Sequence, residues 1–188
     1  MADTKLQKPH YEVWTMVTQS RYAYVISALS ISKIKVEVGG YGKKTVEKLG
    51  AYLSVPKCRL LIHKVLDPIM PPAHGFKYEV IGGSIREGNV ESRILKFEFD
   101  EGHNGSFAKM PWRIVIGVGE GKQTETGAIA PLGKPSSIAD IRLTQDDMLS
   151  MVLELQAHLN HRQQTYERSR YDQQLERFIS RHNDTDKK

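Results

Sequence analysis

A proline cluster, Asp67-Pro68-Ile69-Met70-Pro71-Pro72, divides this chain more firmly than any other feature. Proline lacks the amide that a helix or central strand donates, and its ring clashes with the preceding turn. Whatever structure precedes residue 67 must therefore end there, and a new element must begin after residue 72. The same order of signals, strands and then a helix, occurs on both sides of the break.

Upstream, Tyr11 to Val17 alternates in character and is rich in β-formers, which predicts a strand. Arg21 to Leu29 is a second apolar, aromatic-rich run, and Ile31 to Val38 reads as a half-exposed strand broken by Gly39-Gly40-Tyr41-Gly42. Lys44 to Leu53 places Val46, Leu49 and Leu53 at helical spacing. Ser54-Val55-Pro56 then predicts a cap and a first helical turn, opening a helix through Leu66.

Downstream, Phe76 to Ile81 predicts a strand, with Gly82-Gly83-Ser84 as its break. Ser92 to Asp100 alternates cleanly, and Trp112 to Val118 is strongly apolar and turned by Gly119-Glu120-Gly121. Thr126 to Ala130 is a weaker strand and Ala139 to Leu143 a further one. Thr144 can cap a helix whose first turn carries Asp146 and Asp147. Met148, Val152, Leu155 and Leu159 form its apolar seam, and beyond Leu159 the helix turns polar. Tyr166, Tyr171, Leu175 and Phe178 there suit a projecting helix or an arm that packs on another subunit.

The expected fold class is α+β, with two antiparallel strand-rich units each followed by helix and a long C-terminal helix. The expected organisation is a basic unit over 1–66, a Pro-rich connection over 67–75 and a second unit over 76–188, sharing one core.

Charge separates these segments. Residues 1–66 hold 11 Lys and Arg against 4 Asp and Glu, a net of +7, whereas the remainder has 16 against 18, a net of −2. A concentrated basic excess is the electrostatic footprint of a phosphate-bearing partner. Aromatic residues share that segment: Tyr11, Trp14, Tyr22, Tyr24, Tyr41 and Tyr52. Single-stranded nucleic acid exposes both phosphates and stackable base faces, so a binder needs cations and rings on one surface. The candidate contacts are Arg21, Lys33, Lys35, Lys43 and Lys44 for phosphate, with Tyr22, Tyr24 and Tyr41 for bases. Trp14 is expected in the core. Tyr41, among glycines and beside Lys43-Lys44, is expected to be exposed.

Other chemistries fit less well. The lone Cys58 excludes an internal disulfide and a cysteine-built zinc site. No run approaches the roughly 18 apolar residues of a membrane span. The polar start Met1-Ala2-Asp3-Thr4-Lys5 has no apolar signal core, so an intracellular setting, cytoplasmic or nucleoid-associated, is expected. Gly39 to Thr45 ends like a phosphate loop but has Glu37 where the first glycine is needed, and Gly117 to Lys122 has Lys122 in place of a dinucleotide-binding glycine. Glu154, His158 and His161 share one helical face and could ligate a divalent metal, but no partner cluster accompanies them. Asp100, Glu120 and Lys122 have the residue types of a Mg²⁺-dependent nuclease. In a simple hairpin, however, Asp100 and Glu120 would lie at opposite ends. No cofactor or metal is therefore expected, and the protein reads as a binding module and not an enzyme.

Arg93 to Asp100, Trp112 to Val118, Thr126 to Ala130 and, above all, Ile141-Arg142-Leu143-Thr144-Gln145-Asp146-Asp147-Met148 resemble a strand-strand-strand-strand-helix unit. It is similar to that of the Whirly and positive-cofactor-type transcription proteins, families that bind single-stranded nucleic acid. The resemblance spans residues 92–155, about a third of the chain. It departs from the pattern at Met148, where the families often have an aromatic, and in the polar extension after Leu159. It implies a curved antiparallel sheet that binds single strands, DNA ahead of RNA, and assembly into homo-oligomers. A structural or assembly role for the C-terminal helix is the main alternative.

Overall fold

The computed structural model describes residues 11–41 and 48–185, with the backbone alone at 86 and 166–185. The chain is α+β, with two antiparallel sheets and a C-terminal helix. It divides into two compact units, Met1–Leu155 and Gln156–Lys188.

The first sheet is a four-stranded meander in the order β1 (Glu12–Val17), β2 (Arg21–Ala28), β3 (Lys33–Gly40) and β4 (Leu49–Ser54). Alternation sorts its residues by face. Ala23, Val25, Ile34, Val36, Val38, Leu49, Ala51 and Leu53 are buried on the inner face. Helix α1 (Val55–Val65) follows at once, with Pro56 in its first turn, and buries Cys58, Leu61, Ile62 and Val65. Burial pushes the Cys58 thiol up to about 12, so this cysteine behaves as a small apolar core residue.

The second sheet is built from β5 (Lys77–Arg86), β6 (Asn89–Phe99), β7 (Trp112–Gln123), β8 (Ile129–Pro131) and β9 (Ser137–Leu143). β9 returns to pair with β7 from Trp112 to Val118, while β8 pairs only with the end of β7, at Gly121 to Gln123. The inner face buries Tyr78, Val80, Leu95, Phe97, Trp112, Ile114, Ile116, Ala139, Ile141 and Leu143. Trp112 meets Phe76 and Phe99 edge-on, with ring centroids 5.5 and 5.2 Å away, and its indole N–H donates to Gln145 Oε1 at 2.7 Å.

Helix α2 (Gln145–Thr185) begins in a reciprocal capping box. The Asp147 amide donates to Thr144 Oγ1 at 3.1 Å, and Asp147 Oδ2 accepts from the Thr144 amide at 3.0 Å and hydroxyl at 2.6 Å. Within the first unit this helix buries Met148, Met151, Val152 and Leu155. Leu159 belongs to the second unit, and the side chains of Tyr166, Tyr171, Leu175 and Phe178 lie outside the described residues.

Three expectations need correction. Leu49–Ser54 is a strand, where the spacing of Leu49 and Leu53 predicted helix; Lys44 to Glu47 lie outside the described residues. Gly82-Gly83-Ser84 does not end β5, which continues to Arg86, and Gly119-Glu120-Gly121 does not turn β7, which continues to Gln123. Gly83, Gly119 and Gly121, like Gly117 earlier in β7, sit where another chain segment comes too close for a side chain, whereas Gly82 faces open space. A Cβ at Gly83 would lie 2.1 Å from the Glu91 carbonyl oxygen, and one at Gly117 would lie 2.9 Å from Pro135 Cγ.

Candidate nucleic-acid interface

The outer face of the first sheet gathers most of the candidate residues. Cross-strand register aligns Tyr22 with Gly39, Tyr24 with Glu37, and Lys35 with Tyr52. Directly paired residues point to the same side of a sheet, so Tyr22, Tyr24, Lys33, Lys35, Glu37 and Tyr52 share this face. Tyr41 joins them just past β3, fixed by its amide, which donates to the Ser20 carbonyl at 2.8 Å.

Three of these rings form a cluster. The Tyr22 centroid lies 5.1 Å from that of Tyr24 and 5.0 Å from that of Tyr41, both pairs tilted. Gly39 makes room for it, because a Cβ there would stand 2.4 Å from the Tyr22 hydroxyl oxygen. A hydrogen bond with Tyr41 pushes the Tyr24 phenol above its usual pKa, with burial adding to the effect. Tyr41 is 48% exposed and Tyr52 42% exposed, so the cluster and the Tyr52 ring both reach solvent.

The cations lie toward β4. Lys33 Nζ sits 5.9 Å from the Tyr52 ring centroid and has no acidic partner among the described residues. Lys35 and Lys48 both pair with Glu37, Lys48 Nζ at 2.8 Å from Oε2. Burial raises the Glu37 carboxyl, but hydrogen bonds and charge from the two ammonium groups outweigh it and hold the group below the usual carboxylate value. The carboxylate thus puts a buried negative charge inside the described basic face, and Glu12, opposite Ile26 and close enough to act on the Tyr24 phenol, puts a second at its β1 edge.

Where β4 approaches the second sheet, the face runs into a cleft of about 340 Å³. Lys33, Lys35 and Tyr52 line one side, and Gly82, Ser84 and Arg93 the other. Arg93 ties the two sheets together. Its Nη1 donates to the Gly50 carbonyl at 2.6 Å, while Nε and Nη2 lie 2.7 Å from Glu91 Oε1.

Not every candidate falls here. Arg21 stands apart from the other candidates: it pairs with Gly40 on the opposite side of β2 from Tyr22, and its guanidinium is bound to the Asp140 carboxylate and carbonyl. Asp140 also takes Arg113 at 2.8 Å, and nearby Glu79 pairs with Lys77 and Lys96 at 3.3 and 3.1 Å. The outer face of the second sheet therefore cancels much of its own charge. Lys43 and Lys44 lie outside the described residues. Trp14, expected in the core, is half-buried on β1.

Sequence reasoning missed Lys48 as a site residue, along with the places of Tyr52 and Arg93. Reading residues 44–53 as helix hid the alternation that puts Tyr52 beside Lys35. Arg93 is local to β6, and nothing in its own segment announces its contact with β4.

The alternative sites do not assemble. Register opposes Phe99 to Trp112 and Glu91 to Glu120, so Asp100 and Glu120 lie at opposite ends of the hairpin, on the order of 27 Å apart at strand rise. Asp100 instead accepts the Gly102 amide at 2.8 Å, which with Arg142 and His74 holds its carboxyl below the usual range. No group of three His, Cys, Asp or Glu among the described residues is placed to hold a metal, and that covers Glu154, His158 and His161. No helix among the described residues is long and apolar enough to cross a membrane.

No protein-family model matches the chain, and no curated protein matches it.

Proposed function

We propose that this protein binds single-stranded nucleic acid, DNA ahead of RNA, with little sequence preference and without catalysing a reaction. One observation carries the reading. Tyr22, Tyr24, Tyr41 and Tyr52 share one open sheet face with Lys33, Lys35 and Lys48. Rings accept any base face, which gives affinity without sequence readout, at roughly 1–3 kcal/mol per stacked base. Lysines follow the phosphates as mobile point charges. A duplex keeps its bases stacked on one another, so it can use only the lysines. In this reading the sheet-then-helix order is Whirly-like, and copies of the chain associate through the C-terminal helix.

The test is fluorescence anisotropy with labelled single- and double-stranded oligonucleotides over a salt series. Submicromolar binding that prefers single strands and weakens steeply with salt is expected. Absence of binding at low salt, or equal affinity for duplex, would overturn the reading and turn attention to a protein partner for the C-terminal helix.

A further inference from the structure

We infer that the cleft between the two sheets is a subsite for one nucleotide, with phosphate on Lys33 and Lys35 and the base against Tyr52. The space exists because Gly82 has no side chain. Val80, Gly82 and Ser84 alternate onto the same face of β5, and all three line the cleft. A Cβ built at Gly82 meets nothing within 4 Å, so the position is an open notch between its side-chain-bearing neighbours. Gly82 pairs directly with Arg93, which puts the guanidinium on the same wall.

Size limits the occupant. Ligand cavities run from about 300 to 1,000 Å³, and 340 Å³ is at the small end: room for a nucleotide, not for a length of strand. Charge selects its chemistry. Lys33 has no acidic partner among the described residues, and its ammonium stands over the Tyr52 ring, so a phosphate on Lys33 brings the attached base within reach of that ring. The Arg93 cation is already satisfied by Glu91 and Gly50, which makes it a rigid wall and not the primary anion contact. The Ser84 hydroxyl, also on the cleft wall, can donate to a phosphate or sugar oxygen.

This subsite rests on the single-strand reading only as the place where one nucleotide of a longer strand is held, so the two can fail separately. The experiment titrates isotope-labelled full-length protein with thymidine 5′-monophosphate, with thymidine and inorganic phosphate as controls, and in parallel measures binding of a twenty-residue oligothymidylate. Gly82→Leu fills the notch without changing charge, and its Cβ enters open space. Lys33→Glu, at an exposed strand position, reverses the phosphate contact and leaves the wall intact.

The expected result is perturbation of amide signals at Lys33, Lys35, Tyr52 and residues 82–84 by the monophosphate. Both variants should weaken its binding about tenfold or more, and thymidine alone should bind about tenfold less tightly. If the oligonucleotide binds but the monophosphate does not, or if Gly82→Leu binds the monophosphate like the parent protein, the subsite is overturned and the single-strand reading survives. If the monophosphate binds in the cleft but the oligonucleotide does not bind, the subsite stands as a mononucleotide site and the single-strand reading falls. Failure of both ligands overturns both.

Discussion

At the scale of single residues, Glu37 sets the tension in the binding face. Its side chain is 5% exposed and both its oxygens are occupied by lysines. A carboxylate held this way costs affinity for phosphate, because it competes for the same ammonium groups, but it stabilises the folded sheet. Its carboxyl is held below the ordinary value of 4.5, so its contribution to stability is fully present above that pH and is lost as pH falls through the lower folded-state value. Urea midpoints measured from pH 7 to pH 3 should therefore fall more steeply for the parent protein than for Glu37→Gln. Parallel curves would show that the pairing contributes nothing. At pH 7 the same substitution should cost about 1.5–3 kcal/mol, the range of a hydrogen bond to a charged group, and should tighten oligonucleotide binding. That Glu37 shares one side of its strand with Lys33 and Lys35 is readable from the alternation of the sequence. The pairing of Glu37 with Lys48 was not, because it needs β4 to be a strand.

At the scale of elements, glycine explains most of what the sequence concealed. Glycine is depleted in strands, and runs such as Gly82-Gly83 and Gly119-Glu120-Gly121 normally read as turns. Here they lie inside strands, and at Gly83, Gly119 and Gly121 other segments approach too closely for a side chain, a tertiary fact with no local signature. Two adjacent positions should separate these roles. Gly82→Ala enters open space and should be neutral or stabilise by up to about 1 kcal/mol, since alanine loses less backbone entropy than glycine on folding. Gly83→Ala sets a methyl against the Glu91 carbonyl and Ile129, and should destabilise by about 2 kcal/mol or more. Equal thermal midpoints for the two variants would contradict the register of β5 and β6. The opposite case is the start of α2, where local sequence suffices: Thr144 and Asp147 form the cap within four residues of each other. Thr144→Ala should cost about 1 kcal/mol, visible as a lowered urea midpoint with unchanged slope.

At the scale of the whole molecule, the issue is whether the net charge of +5 acts as a general field or through a place. Every lysine removed changes the net charge equally, so net charge predicts the same effect wherever the substitution falls. The geometry predicts otherwise. Lys77 and Lys96 on the second sheet are paired to Glu79, whereas Lys33 stands without an acidic partner among the described residues and Lys35 shares Glu37 with Lys48. For a single strand, each phosphate neutralised adds roughly 0.7 to the slope of log affinity against log salt. Removing Lys33 and Lys35 together should therefore make that slope shallower by about 1.4. Removing Lys77 and Lys96 together should leave it nearly unchanged. If both double variants shift the slope equally, the protein attracts nucleic acid only as a diffuse cation, and the aromatic and basic face of the first sheet has no special part in binding.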